Sequence, residues 1–265
     1  MKNSYFKKKK IFITGFNGFV GSWLVSVLFK LGAINYGYAL NNNKKNEAIF
    51  DLKKKCKKIV YADIKDFYNL KKTILSVKPD FCIHLAAQPL VFESYNNTRN
   101  TFETNTLGTV NLLSILKIYK IPSIFISSDK TYKPKNKKLK EEDELGGIDP
   151  YSASKTAADV IINSYLKSFN LNIISCRAGN IIGGGDFQKN RLIPDITKNI
   201  FLKKKLVIRN IKSSRPWQHI FDVIFSYLKL LKLLSLKPKI YKGAWNIGPH
   251  KSYPVSIIIK QIRKN

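Results

Sequence analysis

The chain has 265 residues, 44% of them hydrophobic, which is enough to bury one large core or two joined lobes and excludes disorder throughout. Its net charge of +30 would ordinarily indicate a protein that binds nucleic acid or an anionic surface. However, only six of the 47 basic residues are arginine, and the lysines fall in short runs with no recognition motif beside them. We therefore predict a solvated, lysine-rich surface and no nucleic-acid partner.

The cysteines, histidines and apolar runs limit the compartment and the kind of site. Cys56, Cys82 and Cys176 are an odd number without CxxC spacing, which indicates buried thiols in a reducing compartment. No run approaches the ~18 apolar residues of a membrane span, and IFITGF near the N-terminus is too short for a signal peptide. The three histidines lie far apart without ligand-type neighbours. We expect a cytoplasmic protein with no membrane span and no metal site.

Short apolar runs alternate with longer amphipathic runs over the first two thirds of the chain. The apolar runs are rich in β-branched residues, as buried strands are: IFIT 11–14, INYGYAL 34–40, KIVYAD 58–63, FCIHLAA 81–87, SIFISS 123–128 and NIISCRA 172–178. Amphipathic runs of helical length follow most of them. Such βαβ units build a parallel sheet with helices on both faces, so we predict a Rossmann-like, doubly wound α/β fold.

Two regions depart from this alternation. Residues 41–55, NNNKKNEAIFDLKKK, are the most loop-like segment, and we predict a solvated turn there. Residues 179–254 are rich in Gly and Pro, with short elements at LVIR 206–209 and AWNIG 244–248 and a helix near 221–234. This composition predicts a small C-terminal lobe built onto the sheet.

The first βα turn carries the pattern of a dinucleotide site. TGFNGFVG places Gly15, Gly18 and Gly21 between a strand and an amphipathic helix, where glycines allow a pyrophosphate to approach the backbone. A purely structural turn is the alternative. Asp63 ends the third strand, where it could accept a hydrogen bond from the adenine end of a dinucleotide or simply form a turn.

A second motif suits proton transfer. Tyr151 and Lys155 lie four residues apart at the start of a helix, so they share a face, and an ammonium beside a phenol favours the phenolate. Ser128, at the end of a strand, could hydrogen-bond the same reacting oxygen. The alternative is a helix with an exposed tyrosine and lysine.

These motifs together identify a family resemblance over nearly the whole chain. TGFNGFVG, HLAAQP, Ser128, YSASK and RAGN resemble the extended short-chain dehydrogenase/reductase family, and SSDKTY, ELGGIDPYSASK, RAGNIIGGGDFQKNRLIPDI and RPWQHIFD resemble its nucleotide-sugar 4,6-dehydratases. The resemblance implies an NAD-binding domain over 1–178 and a substrate-binding lobe over 179–265. It implies that NAD is held by Gly15, Asn17, Gly18, Phe19, Gly21, Asp63, Ala86, Ala87, Tyr151 and Lys155. It also implies a nucleotide-sugar pocket lined by Gln88, Asn180, Arg191, Arg209 and Arg215.

The resemblance also gives a role to SSDKTY. With Ser128, Tyr151 and Lys155 serving oxidation at C4 of the sugar, Asp129 and Lys130 would supply the acid and base that remove water across C5 and C6. Relatives that act on dTDP-glucose or GDP-mannose carry glutamate in place of Lys130. The pair therefore favours the branch that acts on CDP-glucose and makes CDP-4-dehydro-6-deoxyglucose, a precursor of the deoxysugars of surface polysaccharide such as lipopolysaccharide O-antigen.

Four alternatives remain open at this stage. The Asp-Lys pair could be a strand-end turn, and any single arginine could be a surface ion pair. The chain could be another NAD-dependent epimerase or dehydratase, or a truncated, non-catalytic nucleotide-binding remnant.

Several positions depart from the family pattern. Phe16, Val20 and Phe92 stand where polar or basic residues are expected, and Asn41 replaces the acidic residue that commonly binds the adenosine ribose, which leaves NADP open. Relatives continue beyond the helix that begins within 254–265. We therefore expect an incomplete second lobe with exposed apolar surface, and a homo-oligomer if the fold is complete.

Overall fold

The computed structural model describes residues 4–135, 137–205, 208 and 210–264. Its strands, in chain order, are β1 Lys10–Thr14, β2 Ile34–Ala39, β3 Cys56–Tyr61, β4 Phe81–His84, β5 Ser123–Ser128, β6 Ile173–Ala178, β7 Ile181–Ile182, β8 Ser214–Arg215, β9 Gln218–His219, β10 Gly243–Ile247 and β11 Tyr253–Pro254. Its helices are α1 Phe19–Lys30, α2 Lys44–Ile49, α3 Leu52–Lys55, α4 Phe67–Val77, α5 Val91–Asn96, α6 Thr98–Phe102, α7 Gly108–Tyr119, α8 Pro150–Phe169, α9 Leu192–Phe201, α10 Ile220–Leu236, α11 Pro238–Tyr241 and α12 Val255–Lys264. A π-helical turn, Glu103–Leu107, joins α6 to α7, and a 3₁₀ turn, Asp129–Thr131, follows β5.

The main sheet is parallel throughout. Among the described residues it has seven strands in the order β10-β6-β5-β4-β1-β2-β3. The chain runs outward from β1 to β3 and then returns to the other side of β1 at β4, so the direction of winding reverses between β1 and β4. The doubly wound Rossmann-like fold predicted from the sequence is confirmed. In such folds ligands bind at the carboxyl ends of the strands, at the point of reversal.

Side chains on alternate positions of the strands enter two separate cores, one on each face of the sheet. On β1, Ile11 and Ile13 join the core formed with α1 and α10, whereas Phe12 joins the core formed with α4, α7 and α8. Because successive side chains of a strand point to opposite faces, a strand covered on both sides must be apolar at every position. This explains why the run IFIT is uninterrupted.

The predicted strands match the structure closely, whereas the predicted turn at 41–55 is wrong. SIFISS is β5 over its whole length, and NIISCRA differs from β6 by one residue. Residues 41–55 instead contain α2 and α3, and four of their side chains are buried: Asn46, Glu47, Phe50 and Leu52. The lysines of this segment face solvent, so composition alone concealed the buried contacts.

Residues after Ala178 contribute both to the main sheet with its core and to two small strand pairs outside it. Strand β10 extends the main sheet beside β6, and α10 packs in the core with α1. The remainder forms the two small strand pairs, β7 with β9 and β8 with β11. The domain boundary at residue 178 stays a prediction. Of LVIR 206–209, only Ile208 lies within the described residues.

The residues 4–135, 137–205, 208 and 210–264 contain neither a membrane-spanning helix nor a metal-binding cluster nor a disulfide. No helix there is long and apolar enough to cross a membrane. No group of three or more His, Cys, Asp or Glu side chains in those ranges is arranged to hold a metal ion. Cys56, Cys82 and Cys176, all of which are described, are free and buried, as the sequence predicted.

Candidate active site

A cleft of about 890 Å³ opens at the carboxyl ends of the central strands. It brings together residues that are far apart in the chain, including thirteen of the predicted site residues outside the substrate set: Gly15, Asn17, Gly18, Phe19, Gly21, Asp63, Ala86, Ala87, Ser128, Asp129, Lys130, Tyr151 and Lys155. Three of the predicted substrate residues also line it: Asn180, Arg191 and Arg215. Arg209 lies outside the described residues.

The glycine turn presents backbone to the cleft. Gly15 has a φ of +67°, and a Cβ there would lie 2.8 Å from the backbone nitrogen of Ala86, so a side chain does not fit. Helix α1 begins after Gly18, and its first turn, Phe19 to Gly21, contains no acidic residue. The backbone N–H groups and the positive end of the helix dipole therefore face the cleft. This arrangement fits the pyrophosphate of a dinucleotide.

Asn17 holds the glycine turn in place through a buried residue that the sequence did not point to. Its amide Nδ2 donates to the Leu40 carbonyl at 3.0 Å and to Glu47 Oε1 at 2.8 Å. The other carboxylate oxygen of Glu47 accepts from the Tyr61 hydroxyl at 2.6 Å. An acid isolated among the lysines and asparagines of 41–50 is the only sequence signal that could have drawn attention to Glu47.

The departures at Phe16, Val20 and Phe92 have different outcomes in the structure. Phe16 is fully buried, with its ring centroid 6.4 Å from that of Tyr61, so it fills the core beneath the turn. Val20 and Phe92 line the cleft and make that part of its wall apolar. Asp63 also lines the cleft, while its Oδ1 accepts from the Lys65 backbone N–H at 2.9 Å, which is the turn geometry considered for it.

A neutral histidine supports the floor of the cleft. The Thr14 hydroxyl oxygen accepts from the N–H groups of Leu85 and Ala86, both at 3.2 Å, so its own hydrogen is directed to His84 Nδ1 at 2.8 Å. His84 Nε2 then carries the proton and donates to the Thr109 hydroxyl at 3.3 Å. Burial, with the positive charge of Lys155 as a smaller cause, lowers the pKa of His84 to about 3.

The acid-base pair of SSDKTY lies on a short, well-bonded turn. The Ser128 hydroxyl donates to Asp129 Oδ1 at 3.2 Å and accepts from the Lys130 N–H at 3.2 Å. The Thr131 hydroxyl donates back to the Ser128 carbonyl at 2.8 Å. These bonds fix Asp129 and Lys130 directly after β5, facing the cleft. The acidic side chain of Asp129 and the basic side chain of Lys130 are therefore held side by side at the carboxyl end of β5.

Tyr151 and Lys155 project from the first turns of α8. The helix begins with Pro150, after Asp149 accepts from the Ser152 N–H at 2.9 Å. Lys155 Nζ donates to the Ile126 carbonyl at 2.7 Å. Burial lowers the pKa of Lys155 to about 8, against an opposing effect of the Asp159 charge.

The phenol of Tyr151 is tuned by groups from three elements. Burial raises the pKa of Tyr151, whereas the Ser128 hydroxyl and the positive charge of Arg191 act in the opposite direction. The cation that acts on the phenol is Arg191, from the far side of the cleft, and a contribution from Lys155 stays a prediction. Proton transfer from this phenol needs further stabilisation of the phenolate, which a positively charged nicotinamide would provide.

The predicted substrate residues do not all behave alike. Arg191 precedes α9, and its Nη1 donates to Asp186 Oδ2 at 3.0 Å. The Asp186 side chain is 7% exposed, and the residue was not singled out from the sequence. Within the part of the chain that the structure describes, Gln88 is the one predicted site residue outside the cleft lining. Its side chain instead bonds the backbone of Leu90 and the Thr101 hydroxyl, which fixes the loop after β4.

The loop that carries Asp186 is attached to the cofactor half of the molecule. Trp23 Nε1 donates to the Gly184 carbonyl at 2.7 Å, and the Trp23 ring packs edge-on against Phe50 at 5.0 Å. Lys45 Nζ lies 3.7 Å from the centre of the Phe187 ring. Helices α1 and α2 therefore support a wall on the substrate side of the cleft.

Known proteins are similar to this chain in both sequence and fold. The family model described as GDP-mannose 4,6 dehydratase matches residues 12–240. A CDP-glucose 4,6-dehydratase of Salmonella typhimurium is 36% identical over 261 residues, which cover 93% of this chain and 72% of that protein. A UDP-glucuronic acid 4-epimerase of Bacillus cereus, solved with UDP-glucuronic acid and NAD, has a TM-score of 0.87 at 24% identity, over 96% of this chain and 82% of the other. A dTDP-glucose 4,6-dehydratase of Bacillus anthracis, solved with NAD, has a TM-score of 0.83 at 24% identity, over 97% of this chain and 80% of the other.

These matches agree with the site built from the residues. The two solved neighbours share the sheet and flanking helices, and both contain NAD, with which the cofactor predicted from the sequence is consistent. The family model covers most of the chain, including the glycine turn, SSDKTY and YSASK. The chain therefore belongs to the GDP-mannose 4,6-dehydratase family of the extended short-chain dehydrogenases/reductases, which comprises NAD-dependent sugar-nucleotide dehydratases and epimerases.

Proposed function

We propose that this protein is an NAD-dependent 4,6-dehydratase that converts CDP-glucose to CDP-4-dehydro-6-deoxyglucose and water. The observation that carries the proposal is the presence, in one cleft, of two acid-base sets: Ser128 with Tyr151 and Lys155, and Asp129 with Lys130. An epimerase that works by oxidation and reduction at one carbon needs only the first set. Elimination of water needs a further base and a further acid, so the second set favours a dehydratase.

The cofactor role is assigned to residues that fit a dinucleotide. Gly15, Gly18 and Gly21 would receive the pyrophosphate on backbone N–H groups, and Ala86 and Ala87 would leave space for the nicotinamide end. NAD, when bound, supplies the acceptor for the hydrogen of C4 and returns it to the same sugar at C6.

The first set would move the proton of the C4 hydroxyl. Tyr151 takes it as the general base, and Ser128 holds the same oxygen by a hydrogen bond. Lys155, one helical turn away on α8, would favour the ionised phenol by its positive charge. Once C4 is a ketone, the hydrogen on C5 becomes acidic. Of Asp129 and Lys130, one removes that proton and the other protonates the C6 hydroxyl, which leaves as water. The C5–C6 double bond that forms is then reduced at C6 and protonated at C5.

The nucleotide-sugar would bind on the side of the cleft formed after Ala178. Arg191 and Arg215 line that side, and planar guanidinium groups suit the oxygens of a diphosphate. The choice of CDP-glucose rests on Lys130 and on the 36% identity to a CDP-glucose 4,6-dehydratase. The substrate lobe over 179–265 is part of the same proposal.

The decisive experiment offers the purified protein CDP-glucose, dTDP-glucose, UDP-glucose and GDP-mannose with NAD and measures product mass. We expect CDP-glucose to lose the mass of one water and to acquire one solvent deuterium at C5 in heavy water. A product of unchanged mass with altered stereochemistry would identify an epimerase. Binding without any product would identify a non-catalytic nucleotide-binding protein, and loss of water from another sugar would reassign the substrate.

A further inference from the structure

A buried ion pair lies behind the cleft, in the core between α8 and β6. Asp159 is 2% exposed and Arg177 is 7% exposed. Arg177 Nε donates to Asp159 Oδ2 at 2.5 Å, and the Ser175 hydroxyl contacts the other carboxylate oxygen. Two buried charges lose so much hydration that such a pair adds little net stability over apolar packing. A role in fixing the position of a neighbouring segment accounts for it better.

The segment that Arg177 contacts is the end of SSDKTY. Arg177 Nη1 donates to the Tyr132 hydroxyl at 2.8 Å and to the Glu141 carbonyl at 2.9 Å. The guanidinium carbon also lies 4.8 Å from the centre of the Tyr132 ring. Tyr132 follows the 3₁₀ turn of Asp129 to Thr131 directly, so its position determines where that turn ends.

The same hydroxyl joins the turn to the edge of the sheet. Tyr132 donates to Asn246 Oδ1 at 2.6 Å, and Asn246 lies in β10. Asn246 Nδ2 donates to the Leu139 carbonyl at 3.1 Å, and the Asn246 N–H donates to Glu141 Oε1 at 2.8 Å. Strands β6 and β10 therefore meet the end of the turn at one phenol oxygen, through Arg177 and Asn246. Both residues also bond the loop that follows the turn.

The other attachments of the turn come from α8 and the same loop. The Thr156 hydroxyl donates to the Thr131 carbonyl at 3.0 Å, and the Gly146 N–H donates to the same carbonyl at 2.9 Å. Asp129 and Lys130 thus lie between the end of β5 at Ser128 and two residues that are held by hydrogen bonds, Thr131 through its carbonyl and Tyr132 through its hydroxyl. Neither Arg177, Asp159 nor Tyr132 lines the cleft, within the described residues.

We propose that Asp159, Arg177 and Tyr132 are positioning residues that hold the Asp129–Lys130 turn in the geometry for elimination, an inference that rests on the proposed dehydratase function. They touch neither substrate nor cofactor and act through the turn. Displacing a catalytic group by about 1 Å can cost on the order of 100-fold in rate. Loosening this anchor should therefore slow the elimination step while leaving the oxidation by Tyr151, which is held by α8, close to its normal rate.

The test uses Tyr132→Phe, which removes the hydroxyl and keeps the ring beside Arg177. Its matched control is Tyr227→Phe: Tyr227 is also fully buried, and its hydroxyl has no hydrogen-bond partner among the described residues. Each full-length variant, with NAD, is mixed with CDP-glucose, and nicotinamide absorbance and water loss are followed together. For Tyr132→Phe we expect elimination slower by roughly 10- to 100-fold, an oxidation rate and KM within about twofold of the original, and reduced nicotinamide accumulating during turnover.

A second measurement does not depend on activity. Hydrogen exchange should become faster at the amides of residues 129–133 and 144–146 in Tyr132→Phe, whereas exchange in β1 and β2 should not change. Tyr227→Phe should match the original protein in both measurements. Equal slowing of oxidation and elimination, or unchanged exchange over the turn, would overturn the inference. If the original protein releases no water from any nucleotide-sugar while exchange at the turn rises in Tyr132→Phe, the proposed function fails and the positioning role stands.

Discussion

The two sides of the cleft are held together by different kinds of interaction. On the cofactor side, the glycine turn and the loop after β4 are fixed mainly by backbone geometry and by hydrogen bonds of uncharged groups, such as that between Thr14 and His84, with Glu47 as the charged exception. On the substrate side, an ion pair, Asp186–Arg191, holds the loop before α9, and a second pair, Asp159–Arg177, lies behind the cleft. Tyr151 lies between them and is affected by both. The cofactor side should therefore respond to steric changes and the substrate side to charge changes.

The largest effect is expected on the cofactor side, from Gly18→Val. A Cβ at Gly18 would lie 3.3 Å from the Gly15 carbonyl oxygen, a tight contact that needs a small shift of the turn, and Gly18 lines the cleft that the added side chain would occupy. We expect a folded protein with no detectable NAD binding by calorimetry and no turnover. The control is Gly248→Val, because a Cβ there meets nothing within 4 Å. Retained NAD affinity in Gly18→Val would show that the turn does not receive the pyrophosphate.

Tyr151→Phe and Lys130→Met should stop the reaction at two different steps, the first at oxidation and the second at elimination. Loss of a general acid or base typically costs ~10²–10⁴-fold, so both variants should lose most product formation. Tyr151→Phe should give no reduced nicotinamide on mixing with substrate, because nothing takes the C4 hydroxyl proton. Lys130→Met, and likewise Asp129→Asn, should accumulate reduced nicotinamide and a 4-keto sugar of unchanged carbon skeleton without water loss. Ordinary turnover in the Lys130 and Asp129 variants would return SSDKTY to a structural turn.

A smaller effect is expected from Asp186→Asn on the substrate side. The Asp186 side chain is only 7% exposed and bonds the Arg191 guanidinium. Hydrogen bonds to charged groups contribute enough to change affinity by roughly 10-fold. We expect KM for the nucleotide-sugar to rise by about that factor, with kcat changed far less. Glu144→Gln is the control, because the Lys133–Glu144 pair is mostly exposed and should contribute little. If KM is unchanged in Asp186→Asn, Arg191 does not need this partner to bind substrate.

The sequence predicted one side of the cleft better than the other, and the reason is physical. The sequence patterns of the glycine turn, of β5 and of the Tyr151–Lys155 face each lie within a few consecutive residues, so they can be recognised from the sequence. Glu47 and Arg177 act through partners that lie 14 to 45 residues away in the chain, and Asp186 acts through a partner across a loop. Such contacts leave no repeating pattern in the sequence. Gln88 shows the converse, since a side chain that the resemblance assigned to the nucleotide-sugar pocket instead bonds the loop after β4.

The acid sensitivity of the fold offers the mildest test of the comparison, because it concerns stability and leaves the reaction at neutral pH unchanged. His84 is buried between two threonine hydroxyls, and its pKa is lowered from 6.5 to about 3. Between these values the unfolded chain takes up a proton that the folded protein does not. The free energy of unfolding therefore falls as pH decreases from about 6.5 to about 3, by an amount on the order of a few kcal/mol.

In His84→Asn, which cannot take up this proton, the slope of unfolding free energy against pH should be smaller over that range, although the variant is less stable at pH 7. Urea unfolding at several pH values measures both proteins, and equal slopes would show that His84 takes up a proton as readily in the folded state as in the unfolded state.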